Sequence, residues 1–519
     1  MRTLSVQLSD ATPVLVGVGQ AAERFGETGY RRRSAVDLAG DAARAALADT
    51  GADPAALAAA IDTVAGVRQF EISLPGVVAP LGRSDNFPRS VAGRIGAAPR
   101  RAVLEVTGGQ APQRLVNEFA ATIAAGGAEV VLLAGGEAIS TVERYAGAVD
   151  RPDFTEHAGG DLEDRGYGMA GILTAHQAAH GMADPVTQYA LFENARRARL
   201  KLTRAEYAAE MGRLFAPFTR VAAGNPYAAA PIERTAAELV TPTATNRPIA
   251  DPYTRYLVSR DKVNQGAAVL LTSVAAARRL GVPADRWVFL HGHADLRERV
   301  LLERADYGTS PAAVLAARHA LELAGIGAAD LAAIDLYSCF PVPVFTVAEA
   351  LGLAADDPRG LTVTGGLPFF GGAGNNYSMH AIAEIAGRVR RSPGSYGFVG
   401  ANGGVMSKYS AGVYSTAPRP WEPDRSGALQ AELDGRPAPA EAEAADGPAT
   451  IETYTVKHGR DGERTGLVLG RLVDGRRFVA RAERGDTALL DLLSTGEPVG
   501  EPVHVRATPR GNRVRLAAG

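Results

Sequence analysis

Cys339 is the one thiol in a chain of 519 residues, and it stands in Tyr337-Ser338-Cys339-Phe340 directly after an apolar run. As a thiolate it would be a nucleophile; beside Phe340 and Pro341 it reads more readily as a small buried hydrophobe, the commoner state of a free cysteine. Tyr337 can act as a general acid or base where its surroundings move its pKa, and otherwise packs as an aromatic. Asn375, Asn376 and Asn402 lie in glycine-rich stretches, where their amides either polarise a carbonyl or supply turn geometry. His176 and His180 are four residues apart, the spacing of a helical zinc pair. No acid stands between them and no third ligand is evident, so no metal is expected. Gly17-Val-Gly19-Gln-Ala-Ala22 follows an apolar run like a relaxed dinucleotide fingerprint, but it lacks an acidic partner after the next strand.

These residues need elements to hold them. Short Val/Ile/Leu runs alternate with longer Ala-rich segments, the pattern of buried strands joined by crossover helices, so the fold class is α/β. Residues 34–51 read as a helix capped by Ser34 and stopped by Gly51. The order strand, Ala-rich helix, strand recurs around 311–337, which predicts an internally duplicated core. Its first half spans 1–260 and includes a mostly helical loop subdomain at 145–248; its second half spans 261–417. Residues 418–449 are dense in Pro, Ala, Glu and Gly and read as a linker with little order. From 450 to 519 the two-residue alternation of strands returns, with the hairpin signal Asp474-Gly475, predicting a small antiparallel, OB-like β-barrel.

Composition removes whole classes of function. With 55 Lys and Arg against 57 Asp and Glu, the net charge is -2, and no global basic field gathers nucleic acid or an anionic membrane. The tail holds 12 basic and 9 acidic residues over 451–519; without a row of aromatics for base stacking, a nucleic-acid partner is not expected there. Arg24 and Arg31-Arg32-Arg33 read as a solvated loop. A lone cysteine forms no internal disulfide and suits a reducing, cytoplasmic setting. Met1 to Leu15 does not have the pattern of an export signal, and the longest apolar stretch is too short to span a bilayer.

Three stretches together resemble the thiolase superfamily, in particular its sterol-carrier-type, thiolase-like members of actinobacteria with an extra C-terminal domain. The first is Thr107-Gly-Gly-Gln-Ala-Pro with Ile123-Ala-Ala-Gly126 and Gly135-Gly-Glu-Ala-Ile-Ser140. The second is Asp261-Lys-Val-Asn-Gln-Gly-Ala-Ala268, similar to the strand opening the family's second half. The third comprises Leu336-Tyr-Ser-Cys-Phe340, Gly365-Gly-Leu-Pro-Phe-Phe-Gly-Gly-Ala-Gly-Asn-Asn376 and Gly400-Ala-Asn-Gly-Gly404. The resemblance covers residues 10–417 and implies a five-layered αβαβα core and a coenzyme A ester as substrate or ligand. It also implies a dimer or a monomer, with no further cofactor and no membrane.

The same resemblance implies acyl-CoA acyltransferase activity of the acetyl-CoA acetyltransferase type, with a place in lipid metabolism. Its catalytic groups, however, are exchanged. The nucleophilic cysteine falls near Gly109, within one or two residues and with no cysteine in any register, the Gly-His-Pro loop on Gly371-Gly372-Ala373, the Cys-x-Gly loop on Gly400-Ala401-Asn402, and the Asn or His loop on Tyr337 to Phe340. Cysteinyl chemistry is therefore not expected. Binding through Gly109, Gly372, Asn375, Asn376, Asn402 and Gly403 is, because glycines let backbone N–H groups approach a thioester. Catalysis without a cysteine would fall to Tyr337, Cys339 and Tyr377, for example retro-aldol cleavage of a 3-hydroxyacyl-CoA. The remaining reading is a non-catalytic sensor or scaffold.

Overall fold

The computed structural model describes residues 8–517. The first part of the Met1 to Leu15 segment and the last two residues of the tail lie outside them. Helix Ala35–Asp49 begins where expected: the Ser34 hydroxyl accepts from the Asp37 N–H, Asp37 closes a capping box, and Gly51 has φ 73°. Its counterpart Pro311–Ala324 is capped by Ser310 and ended by Gly325 at φ 72°.

Two sheets repeat one plan. In the first, Pro13–Ala22, Asn264–Ser273, Val130–Ala138 and Thr63–Gly66 lie side by side, joined antiparallel, antiparallel and parallel. In the second, Phe289–Arg297, Lys408–Ser415, Tyr396–Gly403 and Leu331–Leu336 follow the same order and senses. The duplication is thus visible in hydrogen bonding as well as in helix order. One boundary moves: Asn264–Ser273, read from sequence as opening the second half at 261, is a strand of the first sheet. The first sheet continues through Arg101–Leu104 to the two-residue strand Glu163–Asp164, which covers its edge.

Helices Ala111–Ala124 and Tyr377–Arg391 lie between the sheets; Leu115, Phe119, Ile382 and Ile385 share one buried cluster with Val131 and Val269 of one sheet and Val399 of the other. Ala35–Asp49 covers the outer face of the first sheet and Pro311–Ala324 that of the second. Helix, sheet, helix, sheet, helix make the five layers.

The loop region carries helices Ala175–Ala179, Pro185–Leu200 and Arg204–Ala223. The segment read as a linker is ordered instead. Helix Ser426–Asp434 lies along strand Phe289–Arg297: the Ser426 hydroxyl accepts from the Asp295 N–H at 2.9 Å, and Gln430 accepts from the Arg297 N–H at 2.9 Å. The strand's free edge, rather than any apolar period in the segment, supplies its partners.

Strands Gly447–His458, Arg464–Leu472, Arg477–Ala482, Pro502–Arg506 and Arg513–Leu516 close a barrel in the order first, second, third, fifth, fourth. Helix Thr487–Thr495 connects the third strand to the fourth. This is OB topology. The barrel is not wholly antiparallel, because Arg477–Ala482 and Arg513–Leu516 run parallel through Arg481↔Arg513 and Ala482↔Val514. The outer face of the second and third strands is buried against the body: Leu467, Leu469 and Val479 belong to the same apolar cluster as Phe192, Leu302 and Tyr307. Among the described residues no helix is long and apolar enough to cross a membrane.

Candidate functional site

The loops singled out in the sequence converge between the sheets, and their side chains are buried. Gly109 precedes helix Ala111–Ala124 and has no positive φ, so its backbone suits any residue. Space is what requires a glycine. A Cβ on residue 109 would collide with the hydroxyl of Tyr337 and stand 2.6 Å from its ring edge at Cε2. Tyr337 thus fills the place where a side chain at 109 would project. The same holds at Gly403, where a Cβ would strike the side-chain amide of Gln110, and at Gly372, where it would strike the Ser259 hydroxyl.

Tyr337 and Tyr377 meet edge to face with centroids 5.4 Å apart. The Tyr377 hydroxyl is 2.5 Å from the Thr364 hydroxyl and donates to Asp335 at 3.2 Å. Asp335 also accepts from the Thr362 hydroxyl and the Val363 N–H, each at 2.9 Å; burial lifts its pKa to about 6 despite these bonds. Burial pushes both phenols upward, away from use as a base near neutral pH.

Cys339 lies beside Tyr189 and Asn402, with Asn402 Nδ2 2.7 Å from the Tyr189 hydroxyl and 3.9 Å from Sγ. Burial pushes its thiol up to about 12. Burial of this kind disfavours the thiolate form. His380, the histidine after the Gly371-Gly372 loop, lies in helix Tyr377–Arg391; its Nδ1 is 2.8 Å from Gln20 Oε1, and burial pushes its pKa down to about 3.

Asn375 acts as a strut. Its Oδ1 accepts from the Gly108 N–H at 2.9 Å, and its Nδ2 donates to the Arg68 carbonyl and the Ser73 hydroxyl at 2.8 and 2.9 Å. The Gly108 N–H is therefore already engaged. Asn376 packs on Gly135 and both its amide atoms are buried without a partner; the same is true of both amide atoms of Gln110 and of Asn402 Oδ1.

Sequence reasoning missed Gln110, although it sits next to Gly109, because what distinguishes it is contact with Gly403 across the fold. It also missed Ser378, whose hydroxyl donates to the Gly109 carbonyl, and Glu137, whose carboxyl accepts from the Phe70 N–H at 2.8 Å and is pushed by burial up to about 8. Lys408, missed as well, donates to the Thr107 and Gly168 carbonyls at 2.9 and 2.7 Å, with burial lowering its pKa to about 8.

The weaker motifs resolve into structure. His180 Nε2 accepts the Asn512 N–H at 2.8 Å, and no cluster of three metal-ligating side chains occurs among the described residues. Gly17 and Gly19 let helix Ala35–Asp49 lie against their strand, since a Cβ on either would strike the helix backbone. Arg24, Arg32 and Arg33 pair with Glu27, Asp150 and Asp41 at 2.6, 2.9 and 2.5 Å.

Comparison with known proteins agrees with this architecture. Residues 428–510 match the family model of the thiolase-like protein type 1 additional C-terminal domain. The structure of a monomeric SCP2-thiolase-like protein type 1 from Mycobacterium smegmatis is 50% identical, covers 98% of this chain and 100% of that one, and superposes with a TM-score of 0.85. The Ltp2-ChsH2(DUF35) aldolase, 21% identical over 78% of this chain and 98% of that one (TM-score 0.56), shares the fold. So does human mitochondrial 3-ketoacyl-CoA thiolase, 18% identical over 79% and 100% (TM-score 0.55). Comparison with curated proteins returns no match. With half its residues identical over nearly the whole length, a shared extra C-terminal domain and the duplicated five-layered core, the chain belongs to the SCP2-thiolase-like proteins of type 1.

Proposed function

We propose that this chain is a non-catalytic protein built on the thiolase frame, one that neither forms a cysteinyl acyl intermediate nor cleaves a thioester. The observation that carries this reading is the Tyr337 phenol lodged where a side chain at Gly109 would project. Acyl transfer through Cys339 would need a thiolate, and retro-aldol cleavage by Tyr337 and Tyr377 would need a phenolate; burial disfavours the charged form of all three. Purified protein given a panel of 3-oxoacyl- and 3-hydroxyacyl-CoAs releases no product above buffer on this account. Product that disappears in Tyr337→Phe would overturn it.

A coenzyme A ester held without turnover is the second reading, and it would place the chain in acyl-CoA metabolism as a sensor or scaffold. The unpartnered amides of Gln110 and Asn376 and the unpartnered Oδ1 of Asn402 favour it, since a buried polar group without a partner costs about 1–3 kcal/mol that a pantetheine amide could recover. Gly372 and Gly403 flank the same loops. Calorimetry with acetyl-CoA and longer acyl-CoAs tests it, and absence of heat and of competition removes it. A monomer is the matching assembly state: Glu163–Asp164 covers one end of the first sheet, and the M. smegmatis relative is described as monomeric. Light scattering giving a dimer mass would contradict that.

A further inference from the structure

The barrel carries arginines in a row that its own acids do not balance. Cross-strand register places Arg481 opposite Arg513 and Arg513 opposite Arg506, so three guanidinium-bearing residues lie side by side across three adjacent strands. Arg515, two residues along its strand from Arg513, joins the same face opposite His504. Arg510 stands in the loop between the last two strands. Barrel interior positions alternate with these, because Val503, Val505 and Val514 belong to the barrel core. Arg506, Arg510 and Arg515 are exposed.

Like charges directly opposite one another on a sheet destabilise it. Glu483 pairs with Arg506 at 2.6 Å, and Arg481 is engaged by the Ala179 and His180 carbonyls at 3.2 and 2.9 Å. Among the described residues, Arg510, Arg513 and Arg515 have no carboxylate within ion-pair distance. Burial, and after it the neighbouring Arg481, Arg510 and Arg506, push the Arg513 pKa down, with Glu483 opposing. The tail's excess of 12 basic over 9 acidic residues is modest when counted along the chain; the register concentrates it on one face.

We propose that this face, formed by the third, fifth and fourth strands and their connecting loop, binds the phosphate backbone of single-stranded nucleic acid without reading its sequence. Guanidinium forks match phosphate oxygens, and cross-strand neighbours about 5 Å apart present them as a repeating array rather than a single anion site. The positions named on the face carry guanidinium, carboxylate and one imidazole, His504, with no Phe, Tyr or Trp among them, which leaves the backbone as the main recognised feature. The outer face of strands two and three, where OB barrels ordinarily take oligonucleotides, is buried against the body and takes no part.

The test uses the full chain and a labelled oligo(dT) of about 16 nucleotides in fluorescence anisotropy. Binding is expected at about 50 mM salt, weakening steeply by about 200 mM, with a log–log slope near -0.7 for each phosphate neutralised. Arg506→Glu with Arg515→Glu should weaken binding by about tenfold or more and flatten that slope. Arg515→Glu alone should leave the thermal midpoint unchanged or raised, since it relieves like-charge crowding. Failure to bind at the lower salt overturns the proposal, as does a double variant that binds like the parent. Poly-glutamate competing as well as oligo(dT) would reassign the face to an acidic protein, and binding to anionic vesicles without oligonucleotide binding would reassign it to a lipid surface.

Discussion

The seam between barrel and body and the centre between the sheets are both buried and polar, yet charged pairs run through the first while the second keeps two amides with no partner on either atom. In the seam, Arg197 meets Glu497 at 2.5 Å and the Tyr454 hydroxyl at 3.1 Å, Arg204 meets Asp251 at 2.6 Å and the same hydroxyl at 2.7 Å, and Arg477 meets Glu452 at 2.6 Å and carbonyls of 302 and 305 at 3.3 and 3.2 Å. In the centre, Gln110 and Asn376 have no partner for either amide atom. Buried charges persist where paired and hydrogen-bonded, and buried polar groups without partners are a cost that folding must carry elsewhere. The charges of the seam are paired and its apolar side chains share one cluster with the body, so the barrel is integral to the body rather than appended to it. The centre keeps polar side chains that stability alone does not explain.

That contrast can be broken first at the seam. Arg477→Ala strips the carbonyls of 302 and 305 of their donor and leaves Glu452 with Arg471 alone, and should lower stability by about 2–3 kcal/mol in thermal or urea unfolding. A loss below about 1 kcal/mol would put the seam on a level with a surface pair. Next comes the centre: Gly109→Ala drives a methyl against Tyr337 and should cost about 1–3 kcal/mol, although the backbone at 109 permits any residue.

Glu137 gives the contrast a pH signature. Burial raises its pKa in the folded protein from 4.5 to about 8, so the stability it contributes is fully present below about 4.5 and is lost as pH rises through 8. Unfolding free energy followed between those limits should fall by up to about 1.4 kcal/mol per pH unit from this group, and Glu137→Gln should remove that slope. The smallest effect carries the opposite sign to the usual core substitution. Gln110→Met replaces an unpartnered amide by an apolar chain of similar length and should leave stability unchanged or raise it by up to about 1 kcal/mol. A clear loss would mean that the amide has a partner in solution.

Much of the frame was legible along the chain. The Ser34 and Ser310 caps, the stops at Gly51 and Gly325 and the repeated strand–helix order follow from local chemistry, and the sheets place each element accordingly. Strand Asn264–Ser273 joins the first sheet although its place along the chain points to the second half, because sheet order interleaves distant segments, and its apolar run is the same whichever neighbour it takes. Helix Ser426–Asp434 escaped notice because its partners lie on a strand edge remote in sequence. At the centre, the loop holding Gly109 could be found by motif order. That Tyr337 occupies the space beside it, and Gln110 the space beside Gly403, is a property of packing between segments far apart along the chain.

A thermodynamic cycle between residues 109 and 337 tests the plugged centre most directly. Gly109→Ala should cost about 1–3 kcal/mol in the parent and little or nothing in a Tyr337→Ala background, where the vacated space accepts the methyl, giving a coupling of at least about 1 kcal/mol. If the two substitutions instead add to within about 0.5 kcal/mol, Tyr337 does not fill the position beside Gly109, and the case for a site closed to thiolase chemistry fails with it.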